Sequence, residues 1–433
     1  MQLHYCLTRT GRFTAKFTVT RKAVMVLLLI TGLVASVVCE AQSALEFNEL
    51  GIVAFNSGRY EDAISYFDQA LQLAPDSEVA RRNYTNALRA GADGLARQEL
   101  LDNGIEYLET ALRIEPDNPA ILLQLGSYFL RKNQINDAIF RLEEAVELKP
   151  GDLDTHELLG QAYYLDNDLP SARAQWEYVL EVDPERPNII ERYEKAFREE
   201  VVEADFNRSE SRHFRINYPH GIPNHIRSNI LTILERAYMD IGRRFNGVYP
   251  GSTVHVIIYT ADQFSEATQL ESHVGAIYDG KIRIPLTDEN NRFLSDSELK
   301  RRLVHEYVHV VVREIAGDRV PWWLNEGLAE TLSKNLDQNQ IRTLQQAYKN
   351  GRVFSLRELE NHQLKNLAPE DLRIAYLQSH AVVTLLWNQY GNRRVIQMLE
   401  EIASNVTPEE SIRDSFRKSY SDLESELFAI YGK

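Results

Sequence analysis

The 433 residues suit two or three domains at roughly 150 residues each. With 44% hydrophobic and 26% charged residues, the composition is ordinary for a globular chain and excludes a disordered or collagen-like one. A net charge of −15 without a dense basic run argues against nucleic acid as a partner. The two cysteines, Cys6 and Cys39, both lie near the N-terminus, which leaves the body of the chain without a disulfide framework or a cysteine-based zinc site.

Residues 1–22 carry Arg9, Arg12, Lys16, Arg21 and Lys22 and no acid. The apolar run from Ala23 to Val38 follows; it is short for a bilayer span of roughly 20 residues and suits a signal-peptide core. The small-residue pattern Cys39-Glu40-Ala41 sets the expected cleavage before Gln42. Residues 1–41 are thus expected to be a signal peptide, the alternative being an uncleaved N-terminal anchor built on residues 23–38. Either way the chain is expected to be exported to the periplasm or another extracytoplasmic space, with peripheral membrane association allowed. Lipidation of Cys39 is disfavoured by the bulk of Val38 before it.

From 44 to 184 the chain repeats itself. Gly51, Gly126 and Gly160 are followed twelve residues later by Ala63, Ala138 and Ala172, then by Phe67, Leu142 and Trp176, and the units close with Pro75, Pro150 and Pro184. The step from Gly126 to Gly160 is 34 residues, the tetratricopeptide period, with a small residue where two helices cross and a proline after the second. The unit between Pro75 and Pro116 spans 41 residues, so an insertion is expected near Ala90–Leu95. Residues 42–186 therefore resemble an array of about four tetratricopeptide repeats. Tyr60, Phe67, Tyr163 and Trp176 are expected to pack helix on helix. Residues 187–204 read as one more amphipathic helix, capping the array and leading into a second domain. Such arrays present a groove to a peptide or partner helix, and a protein partner is expected there.

After Asp205 the pattern changes. Phe214–Tyr218 and Val254–Tyr259 read as strands, and between them Ile226, Ile230, Ile233, Leu234, Ala237 and Ile241 recur at helical spacing. Gly275 to Leu286 predicts a strand pair turning at Asp279-Gly280. Ser295-Asp-Ser-Glu opens a helix with capping chemistry. From Leu356 to Lys433 helices are expected, one ending at Gly391 and a closing one over Ser411 to Ile430. The whole of 205–433 reads as an α+β domain.

The helix that Ser295 opens carries His305-Glu306-Tyr307-Val308-His309. Histidines four apart share one helix face and can hold one metal ion, while the glutamate between them reaches the water that the metal activates. Glu306 can take the proton of that water as it attacks a carbonyl. Sixteen residues after His309 stands Glu326, in Trp322-Trp323-Leu324-Asn325-Glu326-Gly327-Leu328-Ala329-Glu330. A catalytic zinc needs a third ligand. Either Glu326 or Glu330 could supply it, the other accepting the free ring N–H of a ligand histidine. Trp322 and Trp323 are expected to be core and cleft wall.

The His-Glu-x-x-His helix followed by Trp-Leu-Asn-Glu-Gly-Leu-Ala resembles the gluzincin metallopeptidases, the group of thermolysin and the aminopeptidase N family. Within it, residues 205–433 are most similar to peptidase MA-like domains. The resemblance implies one catalytic Zn2+ held by His305, His309 and Glu326, with Glu330 behind a histidine; manganese or cobalt could substitute in vitro. Ile374-Ala375-Tyr376, with Ser379-His380-Ala381-Val382, is similar to the aminopeptidase segment whose tyrosine stabilises the tetrahedral intermediate. This implies that role for Tyr376, with His380 a weaker candidate. Gly275-Ala276-Ile277-Tyr278-Asp279 is similar to the strand that pairs with substrate backbone beside the cleft, and there Tyr278 stands where the aminopeptidases carry an amine-binding glutamate. That departure favours endopeptidase over aminopeptidase activity. Lys281–Leu286 is the alternative pairing edge, limited by Pro285.

The expected fold is therefore mostly α, a tetratricopeptide array followed by an α+β gluzincin-like domain. The expected function is an exported zinc metallopeptidase acting on protein or peptide substrates. The alternative is a binding or assembly protein whose metallopeptidase-like domain is inactive or structural.

Overall fold

The computed structural model describes residues 42–270, 276–360 and 367–432. The expected signal peptide or anchor and Gly275 lie outside the described residues. No helix among the described residues is long and apolar enough to cross a membrane. The chain forms two compact units, one up to Ile121 and one from Leu122 onward.

In the first unit, α1 covers residues 42–56, followed by α2 (Tyr60–Leu73), α3 (Glu78–Arg97) and α4 (Leu101–Ile114). A Cβ on Gly51 would lie 2.5 Å from the Phe67 ring, so the glycine lets α1 and α2 cross closely. The insertion does not form a loop: α3 is 20 residues long against 14 for its neighbours, because Ala87–Arg97, despite Gly91 and Gly94, is otherwise rich in Ala, Leu and Arg and has no proline.

The second unit begins with helical hairpins. From Leu122, within α5 (Pro119–Arg131), the chain runs through α6 (Ile135–Leu148), α7 (Leu153–Leu165) and α8 (Leu169–Val182) to α9 (Ile189–Glu203), the expected capping helix. Gly126 and Gly160 meet Leu142 and Trp176 as Gly51 meets Phe67, with a Cβ distance of 2.5 Å in both. Trp176 is buried and donates its indole N–H to the Glu157 carbonyl at 3.2 Å.

Five strands follow in the sheet order β1-β2-β3-β5-β4: β1 (Asn207–Glu210), β2 (Phe214–Tyr218), β3 (Val254–Tyr259), β4 (Ile277–Tyr278) and β5 (Ile282–Pro285). Strands β2, β3 and β5 run parallel, while β1 and β4 are antiparallel edges. The expected strands and the turn at Asp279-Gly280 are present. One expectation is corrected: Lys281–Leu286 is not an edge, because β5 pairs on both sides, with β3 and β4.

The six residues of β3 are all buried, as they must be when both faces of a strand are covered. On one face lies α10 (Asn224–Arg244), whose apolar stripe joins Phe214, Val256 and Ile284 in the core. The short α11 (Ala261–Thr268), closed by a Thr260/Gln263 capping box, follows β3. The remaining helices are α12 (Asp296–Ala316), α13 (Trp322–Ser333), α14 (Gln338–Lys349), α15 (Leu356–Leu359), α16 (Pro369–Tyr390), α17 (Asn392–Ala403), α18 (Pro408–Phe416) and α19 (Tyr420–Tyr431). The expected single helix over Ser411–Ile430 is two. Arg417 ends α18 in the left-handed conformation, φ 58°, and Ser419 opens α19 through a capping box with Asp422, a start signal that overrides the apolar periodicity.

Candidate metal centre

Ser295 accepts from the Glu298 N–H and starts α12. Leu299, Leu303, Tyr307 and Val311 then bury one stripe of the helix. The opposite stripe carries His305 and His309, whose rings lie 4.9 Å apart and near perpendicular, at 82°. The next long helix, α13, sinks Trp323, Leu324 and Leu328 into the same core, which turns Glu326 and Glu330 toward the histidines.

The Glu326 Oε2 lies 3.4 Å from His305 Nε2 and 3.8 Å from His309 Nε2, and one ligand atom from each residue falls within 4.8 Å of the others. The histidine roles follow from what holds each ring. The Nδ1–H of His309 donates to Asn325 Oδ1 at 2.9 Å, which leaves the Nε2 lone pair facing Glu326. His305 turns Nδ1 to Glu330 Oε1 at 3.5 Å. Lys334 in turn donates to Glu330 Oε2 at 2.7 Å, and His380 Nδ1 stands 3.8 Å from the same oxygen.

Two imidazole nitrogens and a carboxylate oxygen thus converge in a partly buried spot, spaced too far for good hydrogen bonds to each other. That donor set fits one divalent ion with a position left open. Burial would raise the Glu326 carboxyl, but the facing His309 and His305 outweigh it and lower it, so the anionic ligand form is favoured. Burial pushes Glu306 up to about 7, the range in which a carboxylate accepts and returns protons near neutral pH.

These groups line an open cleft of about 1300 Å³. Tyr376 of α16 faces it, with its ring 4.9 Å from Trp322 in an edge contact, while Trp323 is fully buried. Strand β4 forms another part of the wall through Ile277 and Tyr278. Burial raises the Tyr278 phenol to about 12, so it stays neutral, and the Arg313 guanidinium lies 5.8 Å from its ring centroid. His380 lies behind the cleft instead of on it: it is buried, it faces Glu330, and burial lowers it to about 4.

Sequence reasoning passed over Asn325 and Lys334. Asn325 sits inside the motif that was singled out, directly before Glu326, and a carboxamide one residue from a metal ligand is a signal that could have found it. Lys334 follows Glu330 by four residues on one helix face, an ordinary ion-pair spacing.

Comparison with known proteins gives the family of each part of the chain. Residues 245–428 match the peptidase MA superfamily, and residues 44–77, 89–152 and 123–187 match tetratricopeptide repeats. The chain thus carries a peptidase MA superfamily domain preceded by tetratricopeptide repeats. Strands β1 and β2 and all of α10 precede the matched segment, yet β2 and α10 share the core of the domain. Among curated proteins, the chain is 25% identical over 138 residues to human tetratricopeptide repeat protein 13, covering 32% of this chain and 16% of that protein. It is 23% identical over 201 residues to the human protein O-mannosyl-transferase TMTC1, covering 38% and 23%. The chain therefore spans under a quarter of the length of these relatives. Among solved structures, the tetratricopeptide protein YrrB aligns with a TM-score of 0.30 at 21% identity, over 36% of this chain and 76% of that one.

Proposed function

We propose that this protein is an exported zinc-dependent metallopeptidase that cuts within protein chains, and that its repeats recruit the substrate or a partner protein. The observation that carries this reading is the convergence of His305, His309 and Glu326 beside Glu306 in one cleft. A zinc ion held by those three residues would supply the Lewis acidity that polarises a carbonyl and activates water. Glu306 takes the proton of the attacking water and delivers it to the leaving amine. Tyr376 donates a hydrogen bond from its phenol to the developing oxyanion, and the Trp322 edge holds its ring in place. Asn325 and Glu330 orient the two imidazoles.

Endopeptidase activity is favoured by the cleft edge. An aminopeptidase needs an anion there to bind a free α-ammonium, and Tyr278 offers a neutral phenol with a guanidinium against its ring. Export is supported by the basic and apolar run of residues 1–38; N-terminal sequencing of the protein from cells is expected to begin at Gln42, and an intact Met1 would replace cleavage with anchoring.

The test is digestion of an unfolded protein by the zinc-loaded protein beside its Glu306→Gln variant, with fragments mapped by mass spectrometry. Internal cuts made by the wild type alone are expected. Trimming from the N-terminus would overturn the endopeptidase assignment. Zinc binding without cleavage by either would favour a repeat-based binding protein.

A further inference from the structure

We propose that the last repeat and its capping helix act on the cleft itself, with Lys195 and Leu165 as positioning residues that hold the β4–β5 hairpin where an extended substrate pairs. The proposal rests on the reading of the cleft as a peptide-binding site. Strand β4 is only two residues long, Ile277–Tyr278, and is the sheet edge that lines the cleft. A two-residue edge strand makes too few ladder bonds to fix itself. Something else must hold it.

What holds it comes from the repeats. Lys195 of α9 donates to Asp279 Oδ2 at 2.7 Å, directly after Tyr278. Gly280 makes the turn at φ +103°, and Leu165, the last residue of α7, packs so close that a Cβ there would meet its Cδ2 at 2.5 Å. The base of the hairpin is tied down further. Arg283 of β5 is fully buried and donates to Asp279 at 3.2 Å, to the Tyr164 hydroxyl at 2.8 Å and to Glu199 at 3.0 Å. Lys281, also fully buried, donates to Asn167 Oδ1 at 2.7 Å and lies 3.9 Å from the centroid of the Tyr164 ring. Every one of these partners except Asp279 belongs to α7, α9 or the turn between α7 and α8. Lys281 closes its hydrogen bond against the repeats, and Arg283, which also donates to the Tyr259 hydroxyl of β3 at 3.0 Å, closes two more there, so the docked repeats tie down the hairpin.

The experiment compares Leu165→Ala/Lys195→Ala with Arg215→Ala. The control breaks a neighbouring tie between the repeats and the sheet, Arg215 to Asp166 at 3.0 Å, without touching the hairpin. Hydrogen exchange is read on peptides covering residues 276–284, and binding of oxidised insulin B chain is read in the Glu306→Gln background. In the double variant, exchange at the hairpin is expected to rise about tenfold and the peptide affinity to fall about threefold or more, with zinc affinity unchanged. The Lys195→Arg variant should keep both at wild-type values, and the Arg215→Ala control should leave both unmoved. In the active enzyme the same loss appears in KM, with kcat held. Unchanged exchange at the hairpin, or equal changes in the control, would overturn the proposal. So would faster exchange with unaltered peptide binding. A wild type that binds the peptide but never cuts it would refute the peptidase reading and leave the positioning result to stand or fall by these measurements.

Discussion

Gly327 separates the expected metal ligand Glu326 from the rest of α13, and it is where α13 rests on α16. A Cβ placed there would sit 2.4 Å from Val383 Cγ2 and 2.5 Å from the Ser379 carbonyl oxygen. The obstacle is partly backbone of a helix that is buried on that side, so no side-chain rotation relieves it. On helix propensity alone, Gly→Ala would stabilise by roughly 1 kcal/mol. Overpacking of this kind costs about 1–3 kcal/mol, and with backbone in the way the upper end applies. The net expectation for Gly327→Ala is a loss of about 2 kcal/mol. The second consequence is at the site, because pushing α13 off α16 moves Glu326 relative to His305 and His309 on α12. Zinc affinity should then fall by roughly 10- to 100-fold, the range for disturbed support of a ligand set. The assay is urea unfolding followed by tryptophan fluorescence. Trp176, Trp322, Trp323 and Trp387 are all of the chain's tryptophans, and all lie in the unit that begins at Leu122, so the signal reports on that unit alone. Chelator competition gives the zinc affinity of the same samples. Equal or higher stability with unchanged zinc affinity would refute the packing argument and the coupling of α13 position to the ligands.

The sign of that prediction is checked by Gly94→Ala on α3, where the nearest atom to a new Cβ is 4.0 Å away. With room available only the propensity gain remains, so about 0.5–1 kcal/mol of stabilisation is expected, read by circular dichroism. Asn325→Ala should lower zinc affinity about 10- to 100-fold in chelator competition by freeing the His309 ring, while the fold is kept. Tyr376→Phe should lower kcat by about 10²–10³ with zinc content and KM unchanged if the phenol serves the oxyanion; a loss confined to KM would refute that role. Burial lowers Lys281 to about 8, against an ordinary value near 10.4 in the unfolded chain. The unfolded state therefore holds the extra proton between those values, and this residue's contribution to stability rises with pH across that window. Fluorescence-monitored unfolding at pH 7.5 and 9.5 should show that rise, ~2 kcal/mol, in wild type relative to Lys281→Met. Parallel pH profiles would refute it.

What the sequence made legible is what sits at short, periodic spacing. His305, Glu306 and His309 share one helix, and Glu326 follows in a second motif, so their convergence could be anticipated before any coordinate. The glycine, alanine and bulky residue of each repeat carry the helix crossing in the same local way. Strands β2 and β3 and helix α10 were readable from alternation and period. By contrast, Lys281-Ile-Arg-Ile-Pro has the alternating charge of an exposed edge, yet it forms an interior strand. Apart from Asp279 nearby, its cations meet Glu199, Tyr164 and Asn167, partners 82 to 119 positions away by chain numbering. No local pattern encodes such a pairing, because the residues that make burial tolerable belong to another segment. The same holds in milder form for Asn325, whose role depends on a histidine across a helix interface. The break at Arg417 is different: Ser419 and Asp422 were there to be read, and the apolar period masked them.

The two kinds of residue divide the molecule along functional lines. The chemistry rests on short-range motifs that a helix alone can align, so it would survive transfer to another scaffold that kept α12 and α13 packed. The cleft edge rests on long-range contacts that exist only when the repeats are docked. A buried Arg283 without Glu199 and Tyr164 would keep Asp279 but lose part of its hydrogen bonding and compensation, a cost that falls on the hairpin. A fragment starting at residue 205 is therefore expected to retain the metal-binding helices as sequence while losing the β4 wall that faces them, and zinc binding by such a fragment would be separable from capture of an extended peptide. In this chain the last repeat and its capping helix are part of the cleft's construction, in addition to any partner the repeat groove takes.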